Sequence, residues 1–438
     1  MTTSLVWTHS AGIAAGAAAA LIIAATGLVT ARVDIALLAL PLVAAVGLSW
    51  SRRPSPGESA TVAVALSPPS AAEIEYALEI VPPQSAEAIV LRYGLLGGEE
   101  HELVLRSPPP ENLGGEVPLL HSGPQELVRV WYRFLGADAV AATPPPNEPV
   151  VATRVIAPSQ LTIGSLPLPR RLQGLTGTHE SSRAGDGGDF RDIHPFTPGD
   201  RLRRIDWKAT ARHGRSAGDL YIRRTSALAE ATVLVVLDSR DDVGEQVAEW
   251  SRNAADKKGL SSLDLAREAA TTLASAYISA GDRVGFQDLS SRARMIAHAG
   301  GRRHLWKLLR AMEMTAPAAN PFSHQRPPIV TPGALIYVLS SLLDDRAVDL
   351  SLIWRGNGHR VIAVDVLPEP RFTRTTRYER IAHRIVMMER EDRIRAMRAG
   401  GVELLRWSEG GSALPLQARL ALLSRPVRHG GREIGGRR

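Results

Sequence analysis

The run Val233-Leu-Val-Val-Leu237, followed at once by Asp238-Ser239, decides how the second half of this chain is read. An uninterrupted apolar run of strand length predicts a buried strand, here with a carboxylate at its C-terminal end. Downstream the pattern alternates. Residues 263–280 predict a helix with Leu265, Ala269, Leu273 and Ala276 on one face, ended by Gly281-Asp282. Residues 283–288 predict a strand, 304–312 a helix, 334–340 a strand, 348–354 a helix and 361–367 a strand, with 401–407 as an edge strand. Strands alternating with helices predict a parallel sheet with right-handed crossovers, an α/β domain over residues 231–425.

Before this domain lies a denser stretch, Phe190-Arg-Asp-Ile-His-Pro-Phe-Thr-Pro-Gly-Asp-Arg-Leu-Arg-Arg-Ile-Asp-Trp-Lys-Ala-Thr-Ala-Arg212. It has no hydrophobic period. Pro198-Gly199 followed by Asp200 marks a turn, because Pro fixes one dihedral and Gly permits positive φ. Two readings follow. Asp200, Arg203, Asp206 and Arg212 with their neighbours form a self-contained ion-pair network around a core anchor, Trp207. Alternatively, Asp200, Arg203, Asp206, Trp207 and Arg212 form a surface for an acidic partner or an anion, which arginine forks suit. The stretch belongs to a segment over residues 158–230, whose glycine-rich part (176–188) reads as a loop without the ending of a phosphate loop.

The chain has 438 residues, too many for one ordinary core. Its formal charge of +7 suits anionic headgroups or an acidic partner. No zinc-finger, helix-turn-helix or aromatic-basic pattern accompanies that charge, so nucleic acid is not the expected partner. The chain contains 0 cysteines, which excludes disulfides, thiol catalysis and cysteine-ligated metals. No Gly-x-Ser-x-Gly elbow and no His-Glu-x-x-His spacing occur.

Residues 11–30 are apolar and uncharged, long enough to cross a bilayer as a helix. A second apolar run, 35–50, contains Pro41 and ends in Trp50. No Lys or Arg precedes the first run, which argues against a signal peptide and for a transmembrane α-hairpin over residues 1–56 including its linker. Arg52-Arg53 outnumber Arg32, which Asp34 balances, so the positive-inside rule predicts both termini and the soluble domains in the cytoplasm of a multi-pass membrane protein. Residues 57–157 carry strand-length runs (61–66, 88–93, 102–106, 126–134) separated by proline clusters and predict a β-sandwich. Residues 426–438 form a basic tail.

Phe190, Pro198, Gly199, Asp200, Arg203, Ile205, Asp206, Trp207, Thr210, Ala211 and Arg212, followed by the Val233 strand, resemble the domain of unknown function 58 family. Many members have Arg and Tyr where this chain has His194 and Phe196. The resemblance implies a von Willebrand factor A-like fold for the α/β domain and a MoxR-type AAA+ ATPase as partner. It also implies a test for Mg²⁺, since that fold holds a divalent cation over its strand ends with an Asp-x-Ser-x-Ser segment. Here the segment is Asp238-Ser239-Arg240-Asp241-Asp242. Asp238 and Asp242 are the candidate ligands, and Arg240 replaces the first serine. A guanidinium there repels a cation and pairs with Asp238, so the expected site is degenerate and no cofactor is expected. Together these readings predict a membrane-anchored, non-enzymatic interaction module. The alternatives are a divalent-metal-dependent enzyme using Asp238, Asp242, Asp200 and Asp206, a metal-dependent adhesion protein, and a nucleic-acid binder using the Arg-rich C-terminus.

Overall fold

The computed structural model describes the whole chain except residues 1, 5, 10, 52–56, 71–72, 97, 138–140, 171, 173–176, 217, 251–258, 291–294, 318–328, 408–412 and 426–438. The Arg52-Arg53 pair and the basic tail fall outside the described residues. The chain divides into two units, one of Met1–Leu120 with Pro124–Val155, the other of His121–Gly123 with Ile156–Arg438.

The first unit opens with short strands β1 (Thr2–Ser4) and β2 (Thr8–His9), then helices α1 (Ala11–Val29), α2 (Val33–Leu37) and α3 (Leu40–Ser51). Among the described residues, only α1 is long and apolar enough to cross a membrane, over Gly12–Val29; the second apolar run is shorter and broken. Pro41 explains the restart: without an N–H it fits the first turn of α3 but not the interior of a longer helix. The helices pack closely. A Cβ on Gly27 would meet the Ala36 backbone nitrogen at 2.5 Å, and one on Gly16 would touch Val46 at 3.4 Å.

Strands β3 (Ser59–Leu66), β4 (Glu73–Val81), β5 (Ala88–Leu95), β6 (Glu100–Arg106), β7 (Gly114–Pro118), β8 (Gly123–Leu135), β9 (Ala141–Ala142) and β10 (Val150–Ile156) follow. They form one sheet ordered β1-β3-β4-β7 and a second ordered β2-β9-β8-β5-β6, with β10 also on β8. Each sheet buries one face. In β8, Val128, Val130, Tyr132 and Phe134 are buried while Arg129 and Arg133 are exposed, the period of two that its sequence carries. The two N-terminal strands, which the sequence did not signal, join these sheets: Thr2 pairs with Thr61 and Thr8 with Ala142.

In the second unit, β11 (His179–Pro195) and β12 (Tyr221–Ala229) form an antiparallel ribbon with register shifts. This corrects the loop expected over residues 176–188: from His179 onward the glycine-rich stretch is strand, and the shifts mark where its extra residues are absorbed. The six-stranded sheet then builds from β13 (Thr232–Leu237), β14 (Arg283–Asp288), β15 (Ile296–Ala299), β16 (Leu335–Ser340), β17 (Arg360–Asp365) and β18 (Glu403–Arg406), ordered β15-β14-β13-β16-β17-β18. Every pairing is parallel except β14 with β15. The connection before β15 is too short for a crossover, so the strand returns as a hairpin.

Helices α5 (Ser262–Ser279), α6 (Arg302–Glu313), α7 (Arg346–Gly356), α8 (Arg377–Ala399) and α9 (Ala413–Ser424) cover both faces of this sheet. A shorter helix, α4 (Trp207–His213), precedes them between β11 and β12. Successive β13 side chains alternate between two cores. Val233, Val235 and Leu237 pack with Leu265, Ala269 and Leu273 of α5 and with Leu308 and Met312 of α6. Leu234 and Val236 pack with Val348 and Trp354 of α7 and with Ile394 and Met397 of α8. A central strand buried on both sides needs a continuous apolar run such as residues 233–237. Leu161, Ile163, Leu166 and Leu168 line the first core, and the Tyr277 hydroxyl donates to the Pro167 carbonyl at 2.5 Å.

Candidate functional site

Two places in the second unit gather the residues that the sequence singled out. The first is the excursion between β11 and β12. Its ends are clamped where Pro195 pairs with Tyr221 and the Phe196 N–H donates to the Leu220 carbonyl at 2.7 Å. The Pro198-Gly199 turn forms as expected, with Gly199 at φ 108°. Asp200 closes that turn: one carboxylate oxygen accepts from the Thr197 N–H at 2.8 Å and the Thr197 hydroxyl at 2.7 Å. The Thr197 hydroxyl, then its N–H, holds the Asp200 carboxyl below the usual carboxylate range.

A single 3₁₀ turn, Leu202–Arg204, leads into α4. Asp206 caps α4, accepting from the Lys208 N–H at 3.0 Å and the Ala209 N–H at 2.9 Å. Its own N–H donates to the Tyr221 carbonyl at 2.8 Å, and the Thr210 hydroxyl accepts from the Tyr221 N–H at 3.0 Å. Ala209 faces inward and is buried. These contacts fix α4 against β12 through one face, and the other face is left outward.

That outward face carries Trp207, 69% exposed, as the first residue of α4, with Leu202 67% exposed one turn earlier. Trp207 is therefore not a core anchor; Ala209 takes the inward position. Arg203 and Arg212 are exposed, and among the described residues neither is paired with a carboxylate. On the flanking ribbon Phe190 is half exposed, with the Arg223 guanidinium 5.1 Å over its ring. Of the five residues assigned to the docking reading, Arg203, Trp207 and Arg212 are thus displayed. The carboxylates of Asp200 and Asp206 build the turn and the cap that display them. His194 is half-buried, and its Nδ1 donates to the Pro195 carbonyl at 2.8 Å.

The second place is the C-terminal ends of β13 and β16. Asp238 and Arg240 are 5% and 8% exposed. The Arg240 guanidinium forks onto Asp238, Nε to one oxygen at 2.8 Å and Nη2 to the other at 2.9 Å. The same Nη2 donates to Asp344 at 2.9 Å, and Ser340 donates its hydroxyl to Asp238 at 2.9 Å. Burial works to lower the Arg240 pKa, but its hydrogen bonds and charge contacts with Asp238 and Asp344 outweigh that and raise it. The guanidinium thus holds the position between two carboxylates that a divalent cation would need. Asp242 points elsewhere: it accepts from the Leu263 N–H at 3.1 Å, at the start of α5. The residues present do not fit a divalent ion. Asp238 and Asp242 accept from different donors, and among the described residues no three acidic or imidazole groups converge.

The sequence missed two members of this region. Asp288, at the end of β14, accepts from the Ser239 hydroxyl at 2.7 Å and the Ser290 N–H at 3.0 Å. Burial raises its pKa, and the neighbouring Asp238 adds to the rise. Arg390 of α8 is buried, donates to the Ser341 carbonyl at 2.8 Å and pairs with Asp365 at the end of β17. A second guanidinium therefore neutralises a second strand-end carboxylate, and only the placement of α8 reveals it.

Residues 192–371, which span the excursion and the strands β13 to β17, match the family model described as Protein of unknown function DUF58. No curated protein and no solved structure matches the chain.

Proposed function

We propose that this chain is a membrane-anchored, non-enzymatic docking protein whose α4 surface receives an acidic segment of a partner. The carrying observation is the display of Trp207. A tryptophan 69% exposed on a helix fixed by Asp206 and Thr210, with the exposed Arg203 and Arg212 nearby, has the composition of an interface hot spot. Large aromatics left in water without a partner are uncommon on a folded surface.

The strand order β15-β14-β13-β16-β17-β18, with a single antiparallel edge, supports the von Willebrand A-like reading of the sheet. The Arg240 fork supports a degenerate cation position, and with it a surface that binds through side chains and not through a shared metal ion. The partner class that the family resemblance implies is a MoxR-type AAA+ ATPase, which would supply the ATP chemistry that this chain has no motif for. Pairing of β1 with β3 and of β2 with β9 supports two membrane crossings, because it holds the residues before α1 and after α3 in the same sheets. Together with the Arg52-Arg53 pair, this favours a multi-pass protein with cytoplasmic soluble domains.

The test is a crosslinking capture from native membranes, with and without ATP, using wild type and an Arg203→Ala/Trp207→Ala/Arg212→Ala variant. An ATPase captured by wild type and lost with the variant, at equal variant abundance, is the expected result. Equal capture by both proteins removes the α4 surface from the proposal.

A further inference from the structure

Helix α6 carries a second displayed tryptophan. Its inward face, Leu305, Leu308, Ala311 and Met312, packs into the core beside α5. At about 100° per residue, Arg302, Trp306, Arg310, Arg303 and Lys307 fall within an arc of about 140° on the opposite side. All five are exposed, Trp306 at 67%. Among the described residues none of the four cations is paired with a carboxylate. The helix has one acid, Glu313, half-buried at its last position. The arginines at the strand ends and edges of this unit's sheet, by contrast, are neutralised, as Arg240, Arg360 and Arg390 are.

We infer that this face of α6 docks on an anionic lipid surface, with Trp306 entering the headgroup layer and the four cations meeting lipid phosphates. The inference rests on the membrane-anchored reading above. Three observations favour a bilayer over an acidic protein. The chain carries a membrane-length helix, α1, so an anchored copy meets lipid at high effective concentration. A lone tryptophan ringed by Arg and Lys matches the composition of the membrane–water interface. The cations spread over about 140° of an exposed helix face, which suits a fluid layer of phosphates more than one peptide. Each basic residue near such a surface contributes about a fivefold factor to association.

The test uses the full chain in lipid nanodiscs whose acyl chains carry bromine, a tryptophan quencher. One set is all phosphatidylcholine and the other contains about one-third phosphatidylglycerol. The chain has 8 tryptophans, so the Trp306 signal is the difference between wild type and Trp306→Phe. The expected result is quenching of Trp306 in the anionic discs alone, abolished by high salt. An Arg303→Gln/Lys307→Gln variant, shown to be folded by its thermal melt, should lower the docking equilibrium about 25-fold. A chain held in both discs with Trp306 unquenched in either overturns the inference while leaving anchoring intact, and is the outcome an acidic protein partner would give. Equal quenching in both discs also overturns it. A chain that no disc retains overturns the anchoring and this inference together.

Discussion

At the scale of single residues, the excursion separates display from support. Asp206 and Trp207 are neighbours with opposite duties, and a pair of variants distinguishes them. Asp206→Ala removes an N-cap and should cost about 1 kcal/mol of stability. Trp207→Ala removes a side chain already in water and should change stability by less than about 0.5 kcal/mol while weakening partner capture. Urea melts of the purified protein check both, and a loss of several kcal/mol in Trp207→Ala would mean that the indole is buried in solution. At the strand ends, Arg240→Ser leaves the Asp238 carboxylate buried without its cation. A change of this kind costs about 3–5 kcal/mol. Asp344 is more exposed and adds little. The substitution also frees a position between two carboxylates and a serine. Ten millimolar Mg²⁺ acting on a site of about 1 mM affinity would restore about 1.4 kcal/mol to the variant and nothing to wild type. A wild-type melt that rises with Mg²⁺ would falsify the degenerate-site reading.

At the scale of elements, legibility followed burial. Strands β13, β16 and β17 were readable because a central parallel strand is apolar on both faces, and their alternation with helix-length segments separates such short runs from buried helix. Helix α8 was not, although it is the longest in its unit. Its inward stripe is only Arg390, Ile394 and Met397 between charged turns, and one of those three is an arginine made apolar-compatible by Asp365. That ion pair is long-range, so the buried Arg390 was invisible with it. The exposure of Trp207 was equally hidden, since a motif states which residues recur and not which way a seven-residue helix faces. In the first unit the second apolar run was legible as apolar but not as broken, and the packing of α1 on α3 carries a direct test. The chain has 0 cysteines, so Gly16→Cys/Val46→Cys introduces the sole thiol pair, at positions in side-chain contact. An oxidised disulfide should form in the detergent-solubilised protein. It should be lost when Gly27→Val is added, because any Cβ at Gly27 strikes the Ala36 backbone. A disulfide that never forms would separate α1 from α3 and remove the hairpin.

At the scale of the whole molecule, the proposed topology rests on strand pairing more than on charge counting. The positive-inside argument compares Arg52-Arg53 with a connector in which Asp34 pairs with Arg32 at 2.7 Å, a difference of very few charges. Strand pairing is stricter. Thr2, Thr3 and Ser4 pair with Thr61, Ala60 and Ser59, and Thr8 and His9 pair with Ala142 and Ala141. A sheet cannot form across a bilayer, since unpaired peptide groups in hydrocarbon each cost several kcal/mol. Under the proposed membrane anchoring, the residues before α1 and those after α3 share one side, and the number of crossings between them is even. Single cysteines at Thr3→Cys and Thr373→Cys, the second on an exposed position of the α/β domain, report the two regions in an otherwise thiol-free chain. In intact cells a membrane-impermeant maleimide should label neither, and after permeabilisation it should label both. Labelling of both in intact cells would keep the even crossing and reverse the orientation, placing the α4 surface outside the reach of a cytoplasmic ATPase. Labelling of one without the other would mean an odd number of crossings, and the pairing of β1 with β3 could not survive it.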